Sequence, residues 1–261
     1  MPSRSYTIEL PLPAGATNGN GAAANGNGHP PRPTIGGRVV DPAALTAEVE
    51  RLGAEEAIAW ALERFDGALR FAVSFQKTSS VIVDLVHRLH PRASFFYVDT
   101  GLLFQETYDT RDALARRYGI AFERVADVPL AEQEERRAAN LLRLDQDACC
   151  ADRKVALMRT ALGDASCWAS GIRRADSPTR ADAVKFGWDE RFGLWKLNPL
   201  ADWDDKRVWN YIKEHHVPYN PLHDQGYPSI GCMPCTTTAP EGDSRAGRWA
   251  GTDRTECGIH G

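Results

Sequence analysis

Six cysteines are the residues of this 261-residue chain whose types and spacing could do chemistry. Cys149 and Cys150 are adjacent, Cys232-Met233-Pro234-Cys235 is a C-x-x-C, Cys257 stands near the C-terminus, and Cys167 lies in an apolar run. Free cysteine packs as a small hydrophobe, and Cys167 is read that way. The C-x-x-C has two readings, a thioredoxin-like redox pair or half of a metal site. Four thiolates from two close pairs are the inventory for a tetrahedral zinc or a four-iron cluster. Adjacent cysteines suit a single ion poorly, because the chelate loop must turn around the metal. A cube with an iron at each corner lets neighbouring thiolates bind different irons, so the spacing favours iron–sulfur over zinc. Cys257 has Arg245 and Arg248 upstream and His260 behind it. Positive neighbours favour the thiolate, which is the nucleophile. Arg254 is read as a solvated charge.

These residues need a scaffold. Asp41-Pro42 starts a first helix, and a second runs from about Ala54 to Phe65 and stops at Gly67. An alternation follows: strand 69–73, helix 79–89, strand 94–98, helix 103–118, strand 122–125 and a fourth strand at 167–170. Short buried strands alternating with helices predict an α/β fold, a mostly parallel twisted sheet with helices on both faces. Ligands bind such sheets outside the C-terminal strand ends, which directs attention to the loops Ser74–Ser79 and Asp99–Gly101. A capped helix is expected from about Asp204 to His215, and the turn-rich remainder is expected to cover or close a site. Residues 1–37, rich in Gly, Asn and Pro, have little apolar surface to offset ordering and are read as a disordered tail. Residues 38–235 are expected to form the nucleotide- and cluster-binding α/β domain, and 236–261 a flexible segment carrying Cys257.

With 43% hydrophobic and 25% charged residues the composition is that of a globular protein. A net charge of −4 argues against a general nucleic-acid or membrane-surface binder. No apolar run is long enough to span a bilayer and no export leader is evident, so a cytoplasmic location is expected. Thiols there are kept reduced, so the cysteines need a purpose other than structural disulfides.

Taken together, Cys149-Cys150 with Lys154, Cys232-x-x-Cys235 and Glu256-Cys257-Gly258-Ile259-His260 resemble the assimilatory sulfonucleotide reductases. Within that family the two cysteine pairs resemble the adenylyl-sulfate reductase branch, which carries a 4Fe–4S cluster. Ser74-Phe75-Gln76-Lys77, Val98-Asp99-Thr100-Gly101, Gly171-Ile172-Arg173-Arg174, Asn198-Pro199-Leu200, Pro218-Tyr219-Asn220 and Gly247-Arg248-Trp249 agree, in the family's order, from about residue 40 onward. The resemblance implies the adenine nucleotide α-hydrolase-like (PP-loop) fold. It implies reduction of adenosine 5′-phosphosulfate to sulfite and AMP through an S-sulfocysteine at Cys257, with thioredoxin or a similar dithiol as reductant, in sulfate assimilation. It makes Cys149, Cys150, Cys232 and Cys235 the ligands of the cluster, and it is compatible with a homo-oligomer; because the dithiol supplies both electrons, the cluster is expected to be redox-inert. Ser74, Gln76 and Lys77 stand where the superfamily has a Ser-Gly-Gly-x-Asp-Ser loop, here without its glycine, and Ser79 follows. Thr100 and Gly101 are implied at the adenosine. Lys154, Arg173 or Arg174, Arg180, Arg245, Arg248 and His260 are implied at the phosphosulfate. Three rivals stay open: the 3′-phosphorylated substrate, an ATP pyrophosphatase or adenylyltransferase on the same fold, and a metal-binding sensor.

Overall fold

The computed structural model describes residues 34–126, 146–239, 245–250, 252 and 254–260. Most of the expected tail, residues 1–33, lies outside the described residues. Its end does not belong to a tail: β1 (Thr34–Ile35) and β2 (Arg38–Val39) pair as an antiparallel ribbon, and the Trp195 indole donates to the Thr34 carbonyl at 3.0 Å.

A six-stranded sheet organises the rest. Its members are β3 (Leu69–Ala72), β4 (Phe95–Val98), β5 (Phe122–Val125), β6 (Cys167–Ala169), β7 (Phe186–Asp189) and β8 (Leu194–Leu197), in the order β5-β4-β3-β6-β8-β7. All neighbours run parallel except β7 with β8. Successive strand residues point to opposite faces. Phe95 accordingly joins the larger core with Phe71, Ile82 and Trp195, while Phe96 joins a smaller one with Met158 and Trp168.

The helices α1 (Pro42–Glu50), α2 (Ala54–Phe65) and α3 (Lys77–Leu89) contribute Val49, Ile58, Ala61, Val81 and Leu85 to the larger core. Asp41 caps α1 by accepting from the Ala43 N–H at 3.0 Å, with Pro42 at its first position. The helix α4 (Gln105–Tyr118) ends on Gly119 at φ +65°, the left-handed stop that glycine adopts freely. On the other face, α5 (Gln146–Cys150) runs through a π-helical stretch, Ala151–Ala156, into α6 (Leu157–Leu162). Asp204 caps α7 (Asp205–His215) by accepting from the Arg207 N–H at 2.7 Å.

The hairpin β7–β8 is absent from the sequence expectation. Trp195 stacks on Phe186 with ring centres 4.9 Å apart and meets Trp188 edge-on at 5.4 Å. Cross-strand aromatic contact of this kind, rather than the propensity of Phe186-Gly187-Trp188-Asp189, holds the edge.

Candidate active site

After β3 the chain moves outward to β4 and β5, then returns across β3 to β6. The crevice at that reversal is where doubly wound sheets bind ligands. A cavity of about 680 Å³ opens there, within the size range of small-molecule sites. Ser74, Gln76, Lys77, Thr100, Lys154, Arg173, Arg180, Arg245, Arg248, Cys257 and His260 all line it. Gly101 does not; its φ of +70° and its N–H, which donates to Asp99 Oδ1 at 2.9 Å, turn the chain.

The loop after β3 begins with Ser74, and Phe75 takes φ +58° where the superfamily pattern has glycine. A left-handed non-glycine residue costs about 1–2 kcal/mol. Its ring is repaid by burial against Tyr97 and Phe122, with centres 5.2 and 5.1 Å away. Gln76 is spent structurally: its side-chain Oε1 accepts from the Ile230 N–H at 2.8 Å. The Lys77 N–H donates to His223 Nε2 at 3.2 Å, and His223 Nδ1 lies 2.8 Å from the Tyr227 carbonyl. Burial, helped by Lys77, pushes the His223 imidazole down to about 4, so it is neutral with its proton on Nδ1. Ser79 sits in the first turn of α3, donating to the Gln76 backbone carbonyl at 3.0 Å.

The cavity's cations fall into three groups. Lys77 Nζ and Arg173 Nη2 both bind the Asp205 carboxylate at 2.8 Å. Burial alone would raise that carboxylate, but the two cations hold it below its ordinary value. Arg180 binds Glu256 in bidentate fashion, at 2.8 and 2.9 Å, and Arg245 reaches the same carboxylate at 3.2 Å. Lys154 and Arg248 form the third group, beside Cys257. Gly231 makes room for Arg248, because a Cβ there would collide with its guanidinium. Arg248 donates to Ser229 Oγ at 3.3 Å, while its buried Nε has no partner among the described residues. Arg173 Nη1 is orphaned likewise. Unpaired buried donors in a cavity wall are sites an anion would satisfy. Of the pair Arg173 and Arg174, only the former lines the cavity; Arg174 turns away to Glu50 and to the Ala183 carbonyl.

Burial raises the Cys257 thiol, and Glu256 adds to that. Lys154, a hydrogen bond from the Ile259 N–H and Arg248 outweigh both, so the net shift is downward. Lys154 itself is opposed by burial, yet the thiols of Cys232, Cys257 and Cys150 raise it and keep it charged. Two sequence expectations need correction here. His260 is not a positive neighbour: burial and the surrounding cations Lys196, Arg180, Arg245 and Arg191 push it well below its usual value, so it is neutral. Arg254 is not a solvated charge: it donates to the Glu256 carbonyl at 2.8 Å and pairs with Asp147.

The segment carrying Cys257 is docked. Arg191 binds the Gly258 carbonyl, Ile259 packs on the smaller core, and the His260 ring stacks on Trp168 at 5.6 Å. Residues 240–244, 251, 253 and 261 of the expected flexible segment lie outside the described residues.

All six cysteines are free. Cys167 is fully buried, and burial pushes its thiol well up, as expected of a packed residue. Cys149, Cys150, Cys232 and Cys235 line one small cavity of about 20 Å³ between the α5 region and the 232–235 turn. Burial raises Cys149, Cys150 and Cys235, and their neighbouring thiols raise them further; Lys154 opposes this at Cys150 and Cys235. Among the described residues, no group of three or more His, Cys, Asp or Glu side chains gathers as ligands for one metal ion. The four thiols surround a space rather than converge on a point. Lys154 lines both this space and the larger cavity.

Sequence reasoning missed Asp205, Glu256 as an arginine clamp, His223, and Lys196. Lys196 lies in a strand that the sequence did not predict, and nothing in the local pattern marks it. Glu256 carries a signal, its place beside the nucleophile, but its arginine partners lie 11 and 76 positions away in the chain.

The sequence pattern of the phosphoadenosine phosphosulfate reductase domain matches residues 68–238. A Salinibacter ruber protein named adenosine 5′-phosphosulfate reductase is 42% identical over 84% of this chain and 88% of its own. A Rhodococcus erythropolis protein of the same name is 42% identical, over 82% of this chain and 90% of its own. Among solved structures, a phosphoadenylyl-sulfate reductase from Candida auris in complex with phosphate superposes with a TM-score of 0.65 at 28% identity, covering 76% of this chain and 95% of that one. The FMN adenylyltransferase of Candida glabrata, at 16% identity and a TM-score of 0.52, covers 79% of this chain and 70% of its own, and shares the fold. With its reversal-point cavity on a parallel sheet and a match spanning most of its length, this chain belongs to the phosphoadenosine phosphosulfate reductase domain family.

Proposed function

We propose that the chain reduces adenosine 5′-phosphosulfate to sulfite and AMP in sulfate assimilation, with thioredoxin or a similar dithiol as the electron donor. One observation carries the reading: a cysteine with a depressed thiol stands in the wall of a nucleotide-sized cavity beside Lys154 and Arg248. The Cys257 thiolate attacks the sulfate sulfur, the bond from sulfur to the bridging oxygen breaks, and AMP leaves with the electron pair. Lys154 and Arg248 offset the charge that develops there. A thiolate of the dithiol then attacks Cys257 Sγ, releasing sulfite and leaving a mixed disulfide. The second thiol of the donor resolves it, so the donor is oxidised and Cys257 returns as a thiolate. The wall formed by Ser74, Thr100 and the 228–231 turn is left for the adenosine.

Cys149, Cys150, Cys232 and Cys235 would hold a 4Fe–4S cluster, since four free thiols from two chain segments surround one space. Bound there, it supplies a charge centre and ties the α5 region to the 232–235 turn, with no electron transfer required of it. Lys154, which lines both spaces, would stand between that charge and the sulfate. The relatives named for the non-3′-phosphorylated nucleotide support that substrate.

The test is sulfite release from adenosine 5′-phosphosulfate with thioredoxin, beside the 3′-phosphorylated nucleotide, using protein purified anaerobically. Turnover mainly on the first nucleotide is expected. Turnover mainly on the second would move the substrate assignment to it, and sulfite from neither would remove the reading.

A further inference from the structure

Beyond the reacting thiol, the docked C-terminal segment places His260 in a setting that the reaction scheme above does not use. Its ring lies flat on Trp168, with centres 5.6 Å apart and planes 11° from parallel. Lys196 Nζ stands 3.3 Å from His260 Nδ1 and 4.6 Å from the centre of the same Trp168 ring. Asp189 holds both supports: it accepts from the Trp168 indole at 3.2 Å and lies 3.9 Å from Lys196 Nζ. An ammonium has donors only, so a charged Lys196 obliges Nδ1 to accept. A neutral imidazole accepting at Nδ1 carries its proton at Nε2, and His260 lines the substrate cavity.

We propose that Lys196 is a positioning residue that fixes His260 as the Nε2–H tautomer, so that its N–H donates to an oxyanion in the cavity. Neither residue needs to change its charge during the reaction. Trp168 sets the plane of the ring, Lys196 sets which nitrogen carries the proton, and Asp189 keeps Lys196 in place. The tautomer assignment stands independently of the substrate; only the effect on turnover rests on the proposed reaction.

The pairing has a pH signature. Burial is the main influence lowering Lys196, to about 8; Arg180 and Arg191 lower it too, while Asp189 and Glu256 oppose them. Loss of the Lys196 proton removes the constraint on Nδ1, so its effect is present below about pH 8 and lost above it. His260 is held neutral by burial and the cations around it and does not titrate in this range.

The experiment uses the full chain, uniformly labelled with ¹⁵N at histidine, with Lys196→Met, Lys196→Arg and His260→Asn variants. The His260 resonance, identified by its loss in His260→Asn, should report Nε2–H in the parent and in Lys196→Arg, and a mixture in Lys196→Met. In a double-mutant cycle on sulfite release, Lys196→Met should lower kcat/KM about tenfold, the size of one lost hydrogen bond to a charged group. In the His260→Asn background the same substitution should have almost no further effect. An Nδ1–H tautomer in the parent would overturn the proposal whatever the substrate. So would an equal loss from Lys196→Met with and without His260, because a merely structural lysine does not need the histidine.

Discussion

At the scale of single residues the site works by unequal sharing of charge. Asp205 engages Lys77 and Arg173, and Glu256 engages Arg180 and Arg245, while Lys154 and Arg248 act on Cys257. Cys257 is therefore expected to titrate below an ordinary thiol. Alkylation of Cys257 followed against pH should show its inflection below that of free cysteine, because a depressed value keeps the thiolate populated at lower pH. Lys154→Met should move the inflection upward and slow alkylation at neutral pH; an unchanged profile would show that Lys154 does not set it. The sequence made the thiol and its arginines visible as a cluster of types. It could not show that His260 is neutral or that Arg245 is tied to Glu256, because both follow from burial and from partners brought in by the fold. Arg245 is lowered by burial and by Arg180, to about 10.

At the scale of elements, the α5 region and the 232–235 turn face one another through four thiols. The π-helical stretch Ala151–Ala156 follows directly and carries Lys154 toward both spaces, a local departure of the kind found at functional sites. Cys232→Ser is expected to lose most of the bound iron and sulfide measured in anaerobically purified protein, with a lower Tm. Cys167→Ser, at a thiol buried in the main core, should keep the iron. Retention of full iron in Cys232→Ser would remove that residue from the ligand set. The alternation of β3 through β6 with α3 and α4 was readable because buried parallel strands are short apolar runs between helices. The start of α3 at Lys77 rather than Ser79 is a shift of two residues. The hairpin β7–β8 escaped notice because Gly187 and Asp189 weaken the strand pattern, while the contacts that stabilise it are aromatic pairs across the turn.

At the scale of the whole molecule, the reversal of strand order between β5 and β6 creates the crevice, and the docked residues 254–260 close it. Glu256, Gly258, Ile259 and His260 each meet a separate partner on the domain, so the expected covering role of this region is a set of specific contacts. Its contacts were illegible in sequence because they join positions as far apart as Lys196 and His260. With a protein dithiol as the proposed electron donor, the docked segment is expected to carry its sulfonate outward between the two half-reactions. The most direct measurement is intact-protein and peptide mass spectrometry after one equivalent of adenosine 5′-phosphosulfate is added without reductant. The account predicts one SO₃ group on Cys257, released as sulfite when thioredoxin is added and absent in Cys257→Ser. Stoichiometric AMP without a sulfonate on Cys257, or the sulfonate on another cysteine, would contradict it.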